Sequence, residues 1–294
     1  MLTTLLVAAR IVSNPISNVL QKQLAQRGVH PIAVIGSAHL LLTLLALPWW
    51  LASGERPTSP AFWGNLVLCA ALAVASNVLL VAALKEADLS LLGPINAYKA
   101  VLSLGLGVVV LGEIPTLYGL AGVGLILVGS YRLSDSPTTN APCRRLQGLW
   151  RNRGVQLRLA ALGLSATEAV YLKRAMQSAS PALTLAAWAV AGVPFAVLAG
   201  WLWISTPARI QMAAVRRNLG TCVALALTTG LMQGTTLFTF NRLPVGYSLA
   251  LFQTSALLSV LLGHQFFQEG HLARRLTGSL LMVAGAAMIA LLGR

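Results

Sequence analysis

The 294 residues are 56% hydrophobic and only 10% charged, against roughly 25% charged residues in a soluble domain. That composition excludes a soluble globular protein and leaves a polytopic membrane protein as the class that fits. The formal net charge of +14 reads as basic residues facing lipid headgroups; no basic domain stands apart from the apolar runs, so no nucleic-acid partner is expected.

Apolar runs of about 20 residues match the thickness of a bilayer core, and they recur along the chain. They predict ten spans, at 2–26, 31–52, 62–84, 89–112, 115–132, 155–177, 181–204, 219–241, 245–268 and 271–292. Turn residues punctuate them: Gly28 and Pro31, Gly54 to Pro60, Asp88, Pro115, Pro181, Pro207, Pro244 and Gly270. Met1 to Ala9 lacks a basic region and no A-x-A site follows, so no secretory signal is expected. Ser134 to Gly154, rich in Pro, Thr and Arg, reads as a linker. It divides the chain into 1–133, 134–154 and 155–294, with five spans in each half.

Polar residues concentrate on particular spans. In the first, Arg10, Asn14, Ser17 and Gln21 follow helical spacing and share a face. The third offers Ser76 and Asn77, the fourth Asn96, Lys99 and Ser103, and the sixth Ser165 and Glu168. The eighth offers Thr229, Gln233 and Thr236, and the ninth Ser248, Phe252, Ser255 and Ser259. The fifth and tenth instead pair Gly122 with Gly129 and Gly278 with Gly285, spacings that allow close helix packing in lipid. Six spans thus predict a shared polar cavity, with the fifth and tenth as support; interhelical hydrogen bonding without a cavity is the alternative.

The halves repeat each other. Shifted by 156 positions without a gap, Lys85–Gly129 lies over Asn241–Gly285. Ala100 then meets Ala256, Ser103 meets Ser259, Gly107 meets Gly263, Glu113 meets Glu269, Gly122 meets Gly278 and Gly129 meets Gly285. An odd number of spans per half makes the second half enter from the opposite side. The expected fold is therefore an all-α integral membrane protein, ten transmembrane helices in two inverted five-helix repeats, an arrangement that places substrate sites at the repeat interface.

Ala83-Leu84-Lys85 at the end of the third span, Leu111-Gly112-Glu113, and the Gly-rich fifth span resemble the EamA-like branch of the drug/metabolite transporter superfamily. The second copy departs, with Phe267-Gln268-Glu269 and Phe240-Asn241 in the corresponding places. The resemblance covers the whole chain. It implies export of amino acids or other small metabolites across a bacterial inner membrane, with cytoplasmic termini. The loop charges point the other way. Lys22, Arg27, Lys85, Arg132, Arg144, Arg145, Arg151, Arg153, Arg158, Arg209, Arg216, Arg217, Arg274 and Arg275 fall on one side. Only Arg56, Lys173, Arg174, Arg242 and Arg294 fall on the other, which would put both termini outside.

Arg10, Lys99 and Glu168 are the charges inside spans, where each costs about 2.5–3.5 kcal/mol unless it faces water or a partner. One reading makes Lys99 and Arg10 receptors for a substrate carboxylate or phosphate and Glu168 a receptor for an ammonium or a proton. The other pairs Lys99 with Glu168 internally and lets Arg10 reach the interface. Asn96, Asn14, Asn77 and Gln233 complete the candidate substrate-binding set. Glu113 and Glu269 end the fourth and ninth spans, where Glu113 reads as a structural cap or turn anchor; His39 and His264 read as packing residues, with proton carriage as the alternative. Pro15, Pro94 and Pro194 are candidate kinks, and Trp49, Trp50, Trp63, Trp201 and Trp203 interfacial anchors. Cys69, Cys143 and Cys222 form no ligand or disulfide pattern.

Together these features predict a secondary transporter of a small polar metabolite working by alternating access, with an amino acid, a related zwitterion or an organic anion as substrate. The expected partners are that substrate and the lipid bilayer, with homodimerisation left open. No cofactor, metal or enzymatic activity is expected: no G-x-x-x-x-G-K-[ST] loop or H-E-x-x-H motif occurs. A flippase of a lipid-linked head group and a membrane-embedded enzyme are the alternatives.

Overall fold

The computed structural model describes residues 1–57, 59–102, 116–133, 148, 150–243 and 245–292, excepting the side chains of 245–247. Ser103, Gly107, Leu111, Gly112 and Glu113, together with most of the linker and Cys143, lie outside the described residues.

Every regular element among the described residues is a helix. The first half contains α1 (Leu2–Gln26), α2 (Pro31–Ser53), α3 (Pro60–Glu86), α4 (Leu89–Ile95) and α5 (Leu117–Leu133). The second contains α6 (Arg153–Ala175), α7 (Pro181–Trp203), α8 (Ala208–Arg217), α9 (Leu219–Arg242), α10 (Val245–Phe252), α11 (Ser255–Phe267) and α12 (Leu272–Leu292). Local chemistry sets the boundaries. Pro31, Pro60 and Pro181 occupy first-turn positions, where a missing N–H costs nothing. Asn152 Oδ1 caps the amide of Val155 at 3.2 Å, and Ser180 Oγ caps that of Leu183 at 3.1 Å. Gly54, left-handed at φ 69°, ends α2. α1 runs through Pro15 and α7 through Pro194 without a break, so neither proline interrupts its helix.

Among the described residues, six helical segments are long and apolar enough to cross a membrane. α1 and α6 have the length, with 25 and 23 residues, but carry too many polar groups to join that set. Arg10 and Asn14 of α1 and Arg158, Ser165 and Glu168 of α6 face inward, so part of the low hydropathy reflects an internal lining. Large apolar side chains such as Leu44, Leu51, Val197 and Trp201 cover the outside, where lipid would solvate them.

The helices pair across the two halves. α3 packs most extensively on α6, α1 on α9, α2 on α7, α4 on α11 and α5 on α12. α5 and α12 run antiparallel at close range. A Cβ on Gly122 would lie 2.7 Å from the carbonyl oxygen of Gly285, and one on Gly129 would lie 2.6 Å from that of Gly278. The reverse approaches are equally tight, 2.5 Å from Gly285 to Gly122 O and 2.8 Å from Gly278 to Gly129 O. Only glycine lets these backbones meet.

Two predicted spans need correction. The fourth is not one helix: α4 stops at Ile95, Asn96 and Ala97 form a turn, and helix resumes at Tyr98. The ninth divides at Gln253–Thr254 into α10 and α11. Both breaks are tightened turns. Asn96, Ala97, Lys99 and Ala100 donate to carbonyls three residues back, as do Gln253, Thr254, Ala256 and Leu257. A further helix, α8, occupies what was expected to be loop. It is amphipathic, with Arg209, Arg216 and Arg217 exposed beside Ile210 and Met212.

Candidate functional site

The two helix breaks meet. Asn96 Nδ2 donates to Gln253 Oε1 at 2.9 Å, joining the first half to the second. They border a cavity of about 130 Å³, room for about four waters. The lining comes from α1 (Arg10, Asn14), α3 (Ser76, Asn77), α6 (Arg158, Ser165, Glu168) and α9 (Thr229, Gln233, Thr236). The segments around the breaks add Asn96, Lys99, Phe252 and Gln253. Broken helices lining a cavity are tolerated inside a membrane because the freed backbone groups turn toward polar surroundings.

All seven candidate substrate-binding residues, Lys99, Glu168, Asn96, Asn14, Asn77, Gln233 and Arg10, line this one space. Lys99 Nζ donates to the carbonyl oxygen of Ser165 at 3.1 Å and to its hydroxyl at 3.4 Å. Arg10 does not reach for an interface: its Nε donates to Thr236 Oγ1 at 2.7 Å and its guanidinium lies 5.0 Å from the Phe252 ring centre. Asn14 Nδ2 donates to Ser255 Oγ at 3.2 Å, tying α1 to α11. Among the described residues, Asn77 bonds within its own helix, to the carbonyl of Ala73 at 2.9 Å. Glu168 interacts electrostatically with both Lys99 and Arg10.

The polar stripes are only partly lining. Ser17 turns to Thr229 at 3.1 Å, and Gln21, Ser248 and Ser259 are buried away from the cavity. His39 packs against Trp188, ring centres 4.5 Å apart, with Nδ1 3.3 Å from the carbonyl of Ala189.

Arg158 is a cavity-lining residue that the sequence reading counted with the loop charges. It is 8% exposed, lines the cavity, and donates through Nη2 to Asn96 Oδ1 at 3.1 Å. The signal was present: Arg158 precedes Ser165 by seven residues, two helical turns, on the same face of α6.

A second buried polar cluster joins α1, α4 and the α11–α12 turn. Glu269 Oε1 accepts from Lys22 Nζ at 2.7 Å and from the amide of Leu89 at 2.8 Å. Its Oε2 accepts from the amide of Ser90 at 2.8 Å and from the Ser90 hydroxyl. Arg275 bonds that same hydroxyl, lies 3.6 Å from Glu269 and pairs with Asp88 at 2.7 Å. Glu269 is therefore the anionic cap of α4, where free amides and the helix dipole favour negative charge. Burial pushes its carboxyl upward, but the bonds from Lys22 and Ser90 outweigh that and hold it below the ordinary range. Lys22 and Arg275, placed in loops by the sequence reading, are 5% and 2% exposed. Gln268 and His271 flank the cap at positive φ, 54° and 60°.

Helices of membrane-crossing length around a cavity lined by charged and polar side chains define a polytopic membrane protein. The EamA-like transporter family model matches residues 2–134, from α1 through α5. The resemblance read from the sequence is thereby borne out over these residues. Chains of solved structures match as well, 28 of them. One, described as a crystal structure of a protein, is 16% identical and covers 96% of this chain and 98% of its own, with a TM-score of 0.55. That likeness shows a shared fold and extends it over the second half. No curated protein matches the sequence.

Proposed function

We propose that the protein is a secondary transporter that carries a small polar metabolite by alternating access. Its substrate would be an amino acid, a related zwitterion or an organic anion. The observation that carries this reading is the meeting of the two helix breaks, through Asn96 and Gln253, at a cavity that also holds Lys99, Arg10 and Glu168. Charged groups at such depth are costly unless they face water or a solute.

In this reading the halves 1–133 and 155–294 are inverted repeats that rock about the cavity. Three features support it: the 156-residue register of the sequence, the pairing of helices across the halves and the antiparallel approach of α5 to α12. Helices related by a two-fold axis along the membrane normal would run parallel; an axis in the membrane plane makes them antiparallel.

The test is solute flux by the purified protein in proteoliposomes, across a panel of amino acids, organic acids and amines. Saturable uptake with counterflow is expected for at least one solute. Movement of labelled lipid between leaflets without solute flux would replace this reading with a flippase, and flux of neither would end it.

A further inference from the structure

The cavity's hydrogen-bonding capacity is lopsided. Three cationic side chains line it, Arg10, Lys99 and Arg158, against one carboxylate, Glu168, which leaves a formal charge of +2. Both guanidinium groups are also short of acceptors. Arg10 Nη1 and Arg158 Nε are buried, and neither has a hydrogen-bond partner among the described residues. Arg10 Nε and Arg158 Nη2 donate to neutral oxygens, Thr236 Oγ1 and Asn96 Oδ1. Buried donors are almost always satisfied, and a buried charge without a counter-charge is unfavourable. A donor-rich, positively charged cavity is completed by a ligand that brings acceptors and negative charge.

We propose that the substrate is an organic dianion, a small dicarboxylate or a phosphate ester, held between Arg10 on α1 and Arg158 on α6. This inference rests on the transporter reading and narrows its substrate class. A dianion offers several acceptor oxygens and cancels the +2. A zwitterion leaves that charge in place, and a cationic amine adds to it. Guanidinium groups present paired donors that match both carboxylate and phosphate oxygens. The two arginines belong to different halves of the chain, so one ligand bridging them couples binding to the relative position of the halves. Lys99, held by Ser165 of α6, adds a third cation at the same place. The cavity's volume, about 130 Å³, restricts the ligand to a small acid.

The experiment measures binding by thermal stabilisation of the purified full-length protein in detergent, because a ligand that binds the folded state raises the melting temperature. The probes are malate, glycerol 3-phosphate, alanine and putrescine. Malate or glycerol 3-phosphate is expected to stabilise the protein most, and which of them does so separates the carboxylate from the phosphate source. Arg158→Gln is expected to weaken that binding by about tenfold or more, and Arg158→Lys, which keeps the charge but loses the planar fork, by less. Arg10→Lys gives the same comparison from the other half if Arg158→Gln does not fold. Failure of both dianions to bind, tighter binding of alanine or putrescine, or unchanged dianion affinity in the folded arginine variants overturns the proposal. Saturable alanine flux in proteoliposomes, with no dianion binding, would sink this inference and leave the transporter reading standing. Absence of flux for every solute would sink both.

Discussion

Replacing Glu269 tests how the α4 end of the molecule is held. The carboxylate receives Lys22 Nζ at 2.7 Å and the amides of Leu89 and Ser90, both at 2.8 Å, with the Ser90 hydroxyl as a further donor. Glu269→Ala removes all of these acceptors and leaves Lys22 buried beside Arg275. Removing one partner of a buried ion pair costs about 3–5 kcal/mol. Glu269→Gln keeps one carbonyl oxygen for an α4 amide but drops the charge, so a smaller loss of about 2 kcal/mol follows from the lost charge-assisted bonds. A double-mutant cycle isolates the pair. Glu269→Gln, Lys22→Gln and the double variant are melted in the same detergent, and a coupling of about 0.5–3 kcal/mol is expected for residues in direct contact. A cycle that closes to zero, or a Glu269→Ala protein that melts with the wild type, would refute the assignment of Glu269 as the charged cap of α4.

The same group sets a pH dependence: its pKa is depressed on folding, so it stabilises the fold above the ordinary glutamate value of about 4.3, and that contribution fades as pH falls through the depressed value. The gap in melting temperature between wild type and Glu269→Gln should thus be constant near neutrality and close in acid; a gap that widens in acid contradicts the sign. Gln268→Gly should raise the melting temperature, because Gln268 sits at φ 54°, where a side chain costs about 1–2 kcal/mol; a fall would show that the Gln268 side chain stabilises the turn by more than the strain. Lys99→Gln should insert and fold but lose transport of any carboxylate-bearing substrate, while Lys99→Arg keeps weaker flux; normal flux in Lys99→Gln proteoliposomes would remove Lys99 from the substrate site.

Most span boundaries were legible because proline, glycine and capping side chains mark them within a few residues of sequence. The breaks in spans four and nine were not, since apolar residues run through both and periodicity does not register a turn of two residues. Asn96, two positions after Pro94, was the local hint; Gln253 had none beyond its polarity in an apolar run. The candidate site was read from helical faces, which brought seven residues to one cavity. Arg158 escaped because an arginine near the start of a span looks like a juxtamembrane charge. Glu269 was placed at a span end, but its role as a cap was not legible, because its partners Lys22, Ser90 and Arg275 come from distant stretches that only the tertiary fold assembles. Arg209, Arg216 and Arg217 had looked like loop charges, although Ile210, Met212 and Val215 between them already carried the amphipathic pattern of α8.

The central claim is that solute passes through the cavity bounded by the two helix breaks. Asn77 lines that cavity and, among the described residues, bonds within its own helix, so Asn77→Cys is a mild change at a sensitive position. The decisive measurement is counterflow by Asn77→Cys in proteoliposomes, in a background lacking Cys69, Cys143 and Cys222, before and after a water-soluble methanethiosulfonate reagent. The account predicts that modification abolishes counterflow and that transported substrate slows the modification. Quantitative modification with undiminished counterflow would contradict it.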